Sequence, residues 1–139
     1  MTYLEILRAQ LPGDEGRRNM PYTDTAGKLT IGVGRNLSDH GVNDQEIEMM
    51  LENDIAAAEM TARAIFKSFD ALSDVRRSVI VNMAFNLGYR RLLHFVNFIA
   101  AVEAGQWETA AGEMLNSLWA QEVGQRAIRL ANMMRSDAA

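Results

Sequence analysis

Apolar residues recur every three or four positions through most of the chain, which is the period of amphipathic α-helices. The pattern predicts helices over residues 2–11, 44–66, 73–87, 95–104, 107–116, 118–122 and 125–135. Residues 73–87 are apolar on nearly every side, as is typical of a helix buried in a protein core. The run Val79-Ile80-Val81 is also compatible with a strand, but the length of the segment and the glycine at its end favour a helix.

Several predicted helices carry recognisable end signals. Asn43 followed by Glu46 has the spacing of a capping box, which predicts a helix beginning at residue 44. Gly88 is predicted to close the central helix. Pro12, followed by a glycine, is predicted to interrupt or close the first helix. Glu15 would then lie just past the helix end or in a last distorted turn.

Residues 14–37 do not follow the helical period. Short strand candidates end at Asp24 and include Thr30, and they flank a turn signal at residues 25–28. A β-hairpin here would fold Asp24 and Thr30 back near Glu15. Residues 38–41 are predicted to form a polar loop. The chain is therefore predicted to be α+β and mostly α-helical, with one small hairpin.

Composition and charge exclude some classes of protein. The chain has 139 residues and no cysteine, so it suits one domain, with room for two lobes and without disulfides. No apolar run reaches the length of a membrane span, and the first residues lack a signal-peptide pattern, so neither is expected. Residues 1–60 carry 5 basic and 11 acidic residues, and residues 61–139 carry 9 and 7. This balance argues against a nucleic-acid-binding protein.

Two acidic residues and a threonine in the unusual stretch are candidates for chemistry. Glu15 and Asp24, with Thr30 beside them, would suit glycoside hydrolysis, which needs one carboxyl group to give a proton and a second to stay ionised. Taken alone the pair is a weak signal. The alternative is that Glu15 is a solvated acid, Asp24 starts a turn and Thr30 is an ordinary strand residue.

The motifs around these residues resemble the phage-type lysozymes, glycoside hydrolase family 24. The resemblance begins at Asp14-Glu15-Gly16-Arg17-Arg18 and Pro21-Tyr22-Thr23-Asp24-Thr25-Ala26-Gly27-Lys28-Leu29-Thr30-Ile31-Gly32-Val33-Gly34-Arg35-Asn36-Leu37. It continues through Phe69–Arg77, Asn82–Gly88, Ser117-Leu118-Trp119 and Gln125–Arg129. It covers roughly residues 3–135, and several motifs in the right order are more specific than any one of them.

The resemblance implies a two-lobed fold with a cleft between the lobes. The small hairpin lobe would span about residues 14–43, the connecting helix 44–66, and the larger helical lobe 67–135 together with helix 2–11. The implied reaction is hydrolysis, with inversion, of the β-1,4 bond between N-acetylmuramic acid and N-acetylglucosamine in peptidoglycan. Glu15 would be the general acid, while Asp24 and Thr30 would position the attacking water. No metal or organic cofactor is implied.

The resemblance also assigns supporting residues. Arg126 would pair with Glu15, and Arg129 would support the same network. Independently of the resemblance, Gly34 is predicted to be a substrate-binding position, because glycine there would allow a tight backbone and an open cleft floor. Arg35 would form an ion pair with an acidic residue such as Asp74.

Two residues of the central helix match sugar-contacting positions of the family. Asn86 stands where the family often has glutamine, so its reach is shorter. Phe85 is either a sugar contact or a core residue, and the core interpretation is favoured. Trp119 is expected to anchor the C-terminal helices in the core.

The implied biology is host-cell lysis. The protein would stay in the host bacterial cytoplasm, as a monomer, until a holin releases it to the cell wall, without stable insertion in the membrane. Two rival functions remain open: a lytic transglycosylase that uses Glu15 without Asp24, and a non-catalytic wall-binding module. Residues 125–135 are either a core-packed helix or a segment that disturbs outer membranes, and the packed helix is favoured.

Overall fold

The computed structural model describes residues 1–139 and contains eight α-helices and one small sheet. The prediction of a mostly α-helical α+β protein is therefore confirmed. The chain divides into two compact units, Met1–Met49 and Met50–Ala139, here called the N-terminal unit and the helical unit. No helix combines the length and the apolar character that a bilayer-spanning segment requires.

The N-terminal unit combines two helices, a three-stranded sheet and the start of a third helix. The elements are α1 (Tyr3–Glu15), β1 (Arg18–Thr23), β2 (Leu29–Gly32), β3 (Arg35–Asn36), α2 (Leu37–His40) and α3 (Asp44–Ile65). The boundary between the units falls inside α3. The sequence predicted two of these strands, but β3 and the short α2 were missed because each spans four residues or fewer and lacks a measurable period.

Helix α1 runs past the proline that was predicted to interrupt or close it. Thr2 and Glu5 form a capping box at its start, and Gly16, at φ 82°, ends it. Pro12 has no N–H group to donate to the carbonyl four residues earlier. No residue of α1 is buried, so water can satisfy that carbonyl. Glu15 consequently occupies the last helical turn, which was the second of the two predicted outcomes.

The sheet is antiparallel in the order β1-β2-β3. β1 pairs with β2 through Tyr22 opposite Thr30, with an irregularity nearer the start of β1. β3 extends the sheet by only two residue pairs, Thr30 with Asn36 and Ile31 with Arg35. Thr30 therefore has a strand on each side, and it is the one buried residue of the N-terminal unit.

The capping box predicted at the start of α3 is confirmed. The backbone N–H of Glu46 donates to Asn43 Oδ1 at 2.8 Å, and the backbone N–H of Asn43 donates to Glu46 Oε1 at 2.9 Å. Two of the donors left unpaired at this helix end are thereby satisfied. α3 ends at Ile65, one residue before the predicted end.

The helical unit continues with a 3₁₀ turn and five further helices. They are Phe69–Ala71 for the turn, then α4 (Asp74–Leu93), α5 (Val96–Glu103), α6 (Trp107–Leu115), α7 (Leu118–Val123) and α8 (Gln125–Ser136). Gly88 breaks α4 with a non-helical φ of 77°, so the regular helix ends where predicted and a further helical turn follows. Each helix from α5 to α8 begins and ends within one residue of its predicted bounds.

The core of the helical unit surrounds α4, as its apolar sequence predicted. Val79, Ile80 and Met83 are fully buried, and Trp119 anchors the C-terminal helices with 1% of its surface exposed. Phe95 packs edge-on against Trp119, with ring centroids 6.3 Å apart. α8 buries Ala127, Leu130, Ala131 and Met134. The core-packed interpretation of α8 is therefore the one that the fold supports.

Candidate active site

Asp24 directs the turn between β1 and β2. Its Oδ1 accepts hydrogen bonds from the backbone N–H groups of Ala26 at 2.9 Å and Lys28 at 2.8 Å. Short polar side chains commonly stabilise turns in this way. The turn role therefore exists, but it occupies one carboxylate oxygen and leaves Oδ2 without a protein partner.

Thr30 is linked to Asp24 through the peptide group of Lys28. The Lys28 carbonyl accepts the backbone N–H of Asp24 at 2.9 Å and the Thr30 hydroxyl at 3.0 Å. Because the Thr30 hydroxyl gives its proton to that carbonyl, its oxygen lone pairs can accept a hydrogen from water. Asp24 and Thr30 are thus brought together by one shared peptide, as the predicted hairpin requires.

Glu15 lies against the other end of the β2–β3 hairpin. A Cβ atom added at Gly34, whose φ is 68°, would stand 3.1 Å from Glu15 Oε2 and 3.3 Å from Glu15 Cβ. Only glycine gives the carboxyl group this room without strain. Gly34 therefore contacts the candidate acid directly. The substrate contact expected of Gly34 stays a prediction.

Arg35 pairs with Glu46 and not with Asp74. Its Nη1 donates to Glu46 Oε1 at 2.8 Å and to the Gly41 carbonyl at 3.1 Å. The hydrogen bond from Arg35, together with that from the Asn43 backbone, lowers the pKa of the Glu46 carboxyl. The interaction with Glu46 in turn raises the pKa of Arg35. The sequence signal at Glu46 was local capping, which explains why its second partner, eleven residues upstream, was missed. Asp74 instead lies 3.7 Å from Arg77.

In the helical unit, Phe85 is exposed by 45% of its surface, so the favoured core interpretation was wrong. It borders an open groove of about 560 Å³ whose wall includes Ile55, Val81, Asn82 and Arg126. Asn86 is also exposed, and its Oδ1 accepts the indole N–H of Trp119 at 2.9 Å. Its amide NH₂ remains free to donate.

The guanidinium of Arg126 is held by Asn82, a residue to which the sequence gave no role. Arg126 donates from Nε at 2.9 Å and from Nη2 at 2.7 Å to Asn82 Oδ1. Asn82 lies four residues before Asn86 on α4, so helical spacing could have placed the two on the same face of the helix. The pairing of Arg126 with Glu15 stays a prediction. Arg129 is exposed and approaches only Met133, with Nη1 4.0 Å from the sulfur, so its supporting role also stays a prediction.

The three candidate catalytic side chains surround one short strand. Thr30 lies within β2, Asp24 begins the turn before it, and Glu15 touches the turn after it. These residues carry a carboxyl group, a carboxylate oxygen free of protein partners and a hydroxyl that can accept a hydrogen bond. Those are the groups that acid-assisted attack of water on a glycosidic bond requires.

Known proteins resemble this chain along most of its length. The model of the family described as phage lysozyme matches residues 13–136. The chain is 26% identical over 162 aligned positions to "Probable T4-type lysozyme 1" of Dictyostelium discoideum, with 94% of both chains covered. It is also 28% identical to the pre-baseplate central spike protein Gp5 of Enterobacteria phage T4, of which the match spans 27%.

The family match covers both the stretch around β2 and the helices of the helical unit. It includes Glu15, Asp24 and Thr30 as well as Phe85, Asn86 and Arg126. The chain therefore belongs to the phage lysozyme family and is a peptidoglycan-degrading glycosidase of the lysozyme type.

Proposed function

We propose that the protein is a muramidase that hydrolyses the β-1,4 bond from N-acetylmuramic acid to N-acetylglucosamine, with inversion at the anomeric carbon. The observation that carries the proposal is that the two oxygens of the Asp24 carboxylate have different surroundings. Oδ1 is committed to the Ala26 and Lys28 amides, and Oδ2 is left for chemistry. A residue needed only for the turn would not require a second, charged oxygen.

In the proposed reaction, Glu15 donates its proton to the glycosidic oxygen as the bond to the anomeric carbon breaks. Water attacks that carbon from the opposite face and loses a proton to Asp24 Oδ2. Thr30 Oγ1 accepts a hydrogen bond from the same water, since its own proton is directed to the Lys28 carbonyl. The products are a new reducing N-acetylmuramic end and a free N-acetylglucosamine hydroxyl.

Phe85 and Asn86 are the proposed sugar contacts. An exposed aromatic ring beside an open groove can stack on the apolar face of a sugar. The Asn86 amide can donate to a sugar hydroxyl or N-acetyl carbonyl, because Trp119 occupies only its oxygen. The hydrogen bond from Trp119 thereby fixes the orientation of the Asn86 amide.

The test is to incubate the purified protein with peptidoglycan and identify the new ends by mass spectrometry. Glu15→Gln and Asp24→Asn should each lose activity by at least a hundredfold, within the range for loss of an acid or base. Asp24→Asn is informative because asparagine keeps the oxygen that accepts both turn amides. Asp14→Asn, a neighbouring exposed acid without a hydrogen-bond partner, is the matched control and should keep activity.

The rival functions give different outcomes in the same experiment. Anhydro-sugar ends that survive Asp24→Asn would identify a transglycosylase. Binding to the wall without cleavage by the unmutated protein would identify a binding module. Inversion is tested separately, by following the anomeric form of the first product by NMR.

We further propose that the activity serves host-cell lysis after a holin opens the membrane, which rests on membership of a phage family. Expression of the protein alone in a bacterial host should leave the culture intact. Co-expression with a pore-forming protein should clear it, and the Glu15→Gln variant should not. Clearing by the protein alone would contradict the need for a release partner.

A further inference from the structure

We propose that Glu46 is a positioning residue for Glu15, acting through Arg35 and the turn between β2 and β3. Loss of the Glu46 carboxylate would then slow hydrolysis without weakening glycan binding. The inference rests on the proposed function, because it takes Glu15 as the acid. Every contact in the chain of argument lies within the N-terminal unit.

The first step is the contact between the turn and the acid. Residues 33 and 34 join β2 to β3 as a tight turn. Gly34 lies so close to Glu15 that even a methyl group would come within 3.1 Å of Oε2 and 3.5 Å of Cγ. A displacement of this turn by a few tenths of an ångström therefore changes the space available to the Glu15 carboxyl.

The second step is the weakness of the strand pairing that holds the turn. β3 pairs with β2 through two residue pairs only. β3 is an edge strand of the three-stranded sheet, so no second ladder supports it on its outer side. The position of the turn must therefore depend on side-chain anchors outside the ladder.

The third step is the anchor itself. Arg35 immediately follows Gly34 and donates from one nitrogen to Glu46 Oε1 at 2.8 Å and to the Gly41 carbonyl at 3.1 Å. Glu46 is fixed in turn, because the same Oε1 accepts the Asn43 backbone N–H at the start of α3. A hydrogen-bonded ion pair thus ties the strand that follows the Gly34 turn to the rigid first turn of a 22-residue helix.

A pair that served stability alone would be expected to lower the melting temperature when broken and to leave turnover per folded molecule unchanged. A positioning role predicts a different result, because small displacements of a catalytic group reduce the rate of the chemical step. Loss of an interaction that acts only on that step lowers kcat and leaves KM in place.

The experiment measures kcat and KM on a soluble peptidoglycan fragment for Glu46→Gln, Arg35→Met and the double variant. Each single variant should lower kcat about tenfold with little change in KM. The kcat of the double variant should fall no further than that of the slower single variant, since each change removes the charge pairing between Arg35 and Glu46. Glu122→Gln is the matched control. It breaks an exposed ion pair of similar length, 2.7 Å from Arg91, in the helical unit, and it should keep the unmutated kcat.

Three outcomes would overturn the inference: an unchanged kcat in Glu46→Gln, a rise in KM alone, or reductions that multiply in the double variant. If Glu46→Gln does not fold, Glu46→Asp replaces it, because it keeps the charge and shortens the reach. Activity retained by Glu15→Gln would defeat the proposed function itself. An inactive Glu15→Gln beside a fully active Glu46→Gln would defeat only this inference.

Discussion

The buried indole of Trp119 donates its N–H to Oδ1 of Asn86, 2.9 Å away, and so ties a core residue to an exposed amide of α4. Replacing Asn86 by alanine leaves that N–H without a partner inside the protein. We expect a loss of about 1–3 kcal/mol in the free energy of unfolding. Denaturant unfolding measures it directly.

Asn53→Ala is the control for that change. Asn53 is an exposed residue within α3 and has no side-chain hydrogen bond, so the substitution has the same chemistry and the same helical context. It should alter the free energy of unfolding by about 0.5 kcal/mol or less. Equal effects of the two substitutions would show that the Trp119 hydrogen bond contributes nothing.

Gly34→Ala should abolish most activity for two reasons. A matched substitution at Gly105 separates them. The φ of 68° at Gly34 strains any other residue, and the new methyl group would press on Glu15. Gly105 has the same φ of 68°, but a Cβ there meets only Trp107, at an ordinary 3.8 Å. Both alanine variants should lose stability by about 1–2 kcal/mol from backbone strain. Only Gly34→Ala should lower kcat, and an active Gly34→Ala variant would contradict the contact with the acid.

Two phenylalanines should respond in opposite ways to truncation. Phe85 is 45% exposed, so Phe85→Ala should raise KM while costing about 1 kcal/mol of stability or less. Phe98 is 1% exposed and packs edge-on against Phe66, so Phe98→Ala should cost about 3–5 kcal/mol. Unfolding curves and KM values for the pair separate the roles. A large stability loss in Phe85→Ala would show that the ring contributes to core packing.

Stability should depend on the charge of Glu46 in acid. Its pKa is lowered in the folded protein, chiefly by the hydrogen bond from Arg35. A carboxyl whose folded pKa lies below its unfolded value stabilises the fold above the unfolded value, near 4.5, and loses that contribution as the pH falls through the folded one. The gap in melting temperature between the unmutated protein and Glu46→Gln should therefore be widest near neutral pH and close in acid.

The Arg35→Met background provides the control for that pH dependence. With the largest cause of the shift removed, the gap caused by Glu46→Gln should be smaller and should vary less with pH. A gap that is the same at pH 7 and pH 3 in the unmutated background would rule out the ion pair as its source.

Most of the secondary structure was predictable from sequence because it depends on local signals. The capping box at Asn43, the apolar helix α4 and the glycine that breaks it at Gly88 all lie where the pattern indicated. Pro12 was misjudged because the cost of a proline depends on whether its orphaned carbonyl reaches water, which sequence spacing does not reveal. β3 was missed because two residues carry no period.

In the candidate site, too, features set by neighbouring residues were predictable and contacts between distant residues were not. The turn at Asp24 and the strand at Thr30 follow from nearby residues, and so they were predicted. The partners of Arg35 and Arg126 lie 11 and 44 residues away along the chain, at Glu46 and Asn82. Such pairs depend on how elements meet in space. The ion pair predicted for Arg35 is present, but its partner is Glu46 and not the suggested Asp74, because charge alone does not encode proximity.

Thr30 is the single buried residue of the N-terminal unit, and this affects the order in which parts of the protein unfold on heating. A region held by hydrogen bonds and short strand pairs, with almost no apolar interior, opens at a lower free energy than one built around a dense core. The amides of β2 should therefore exchange with solvent much faster than those of α4. Catalysis would be lost while the helices of the other unit are still intact, so a spectroscopic melting curve would overstate the temperature range in which the enzyme works.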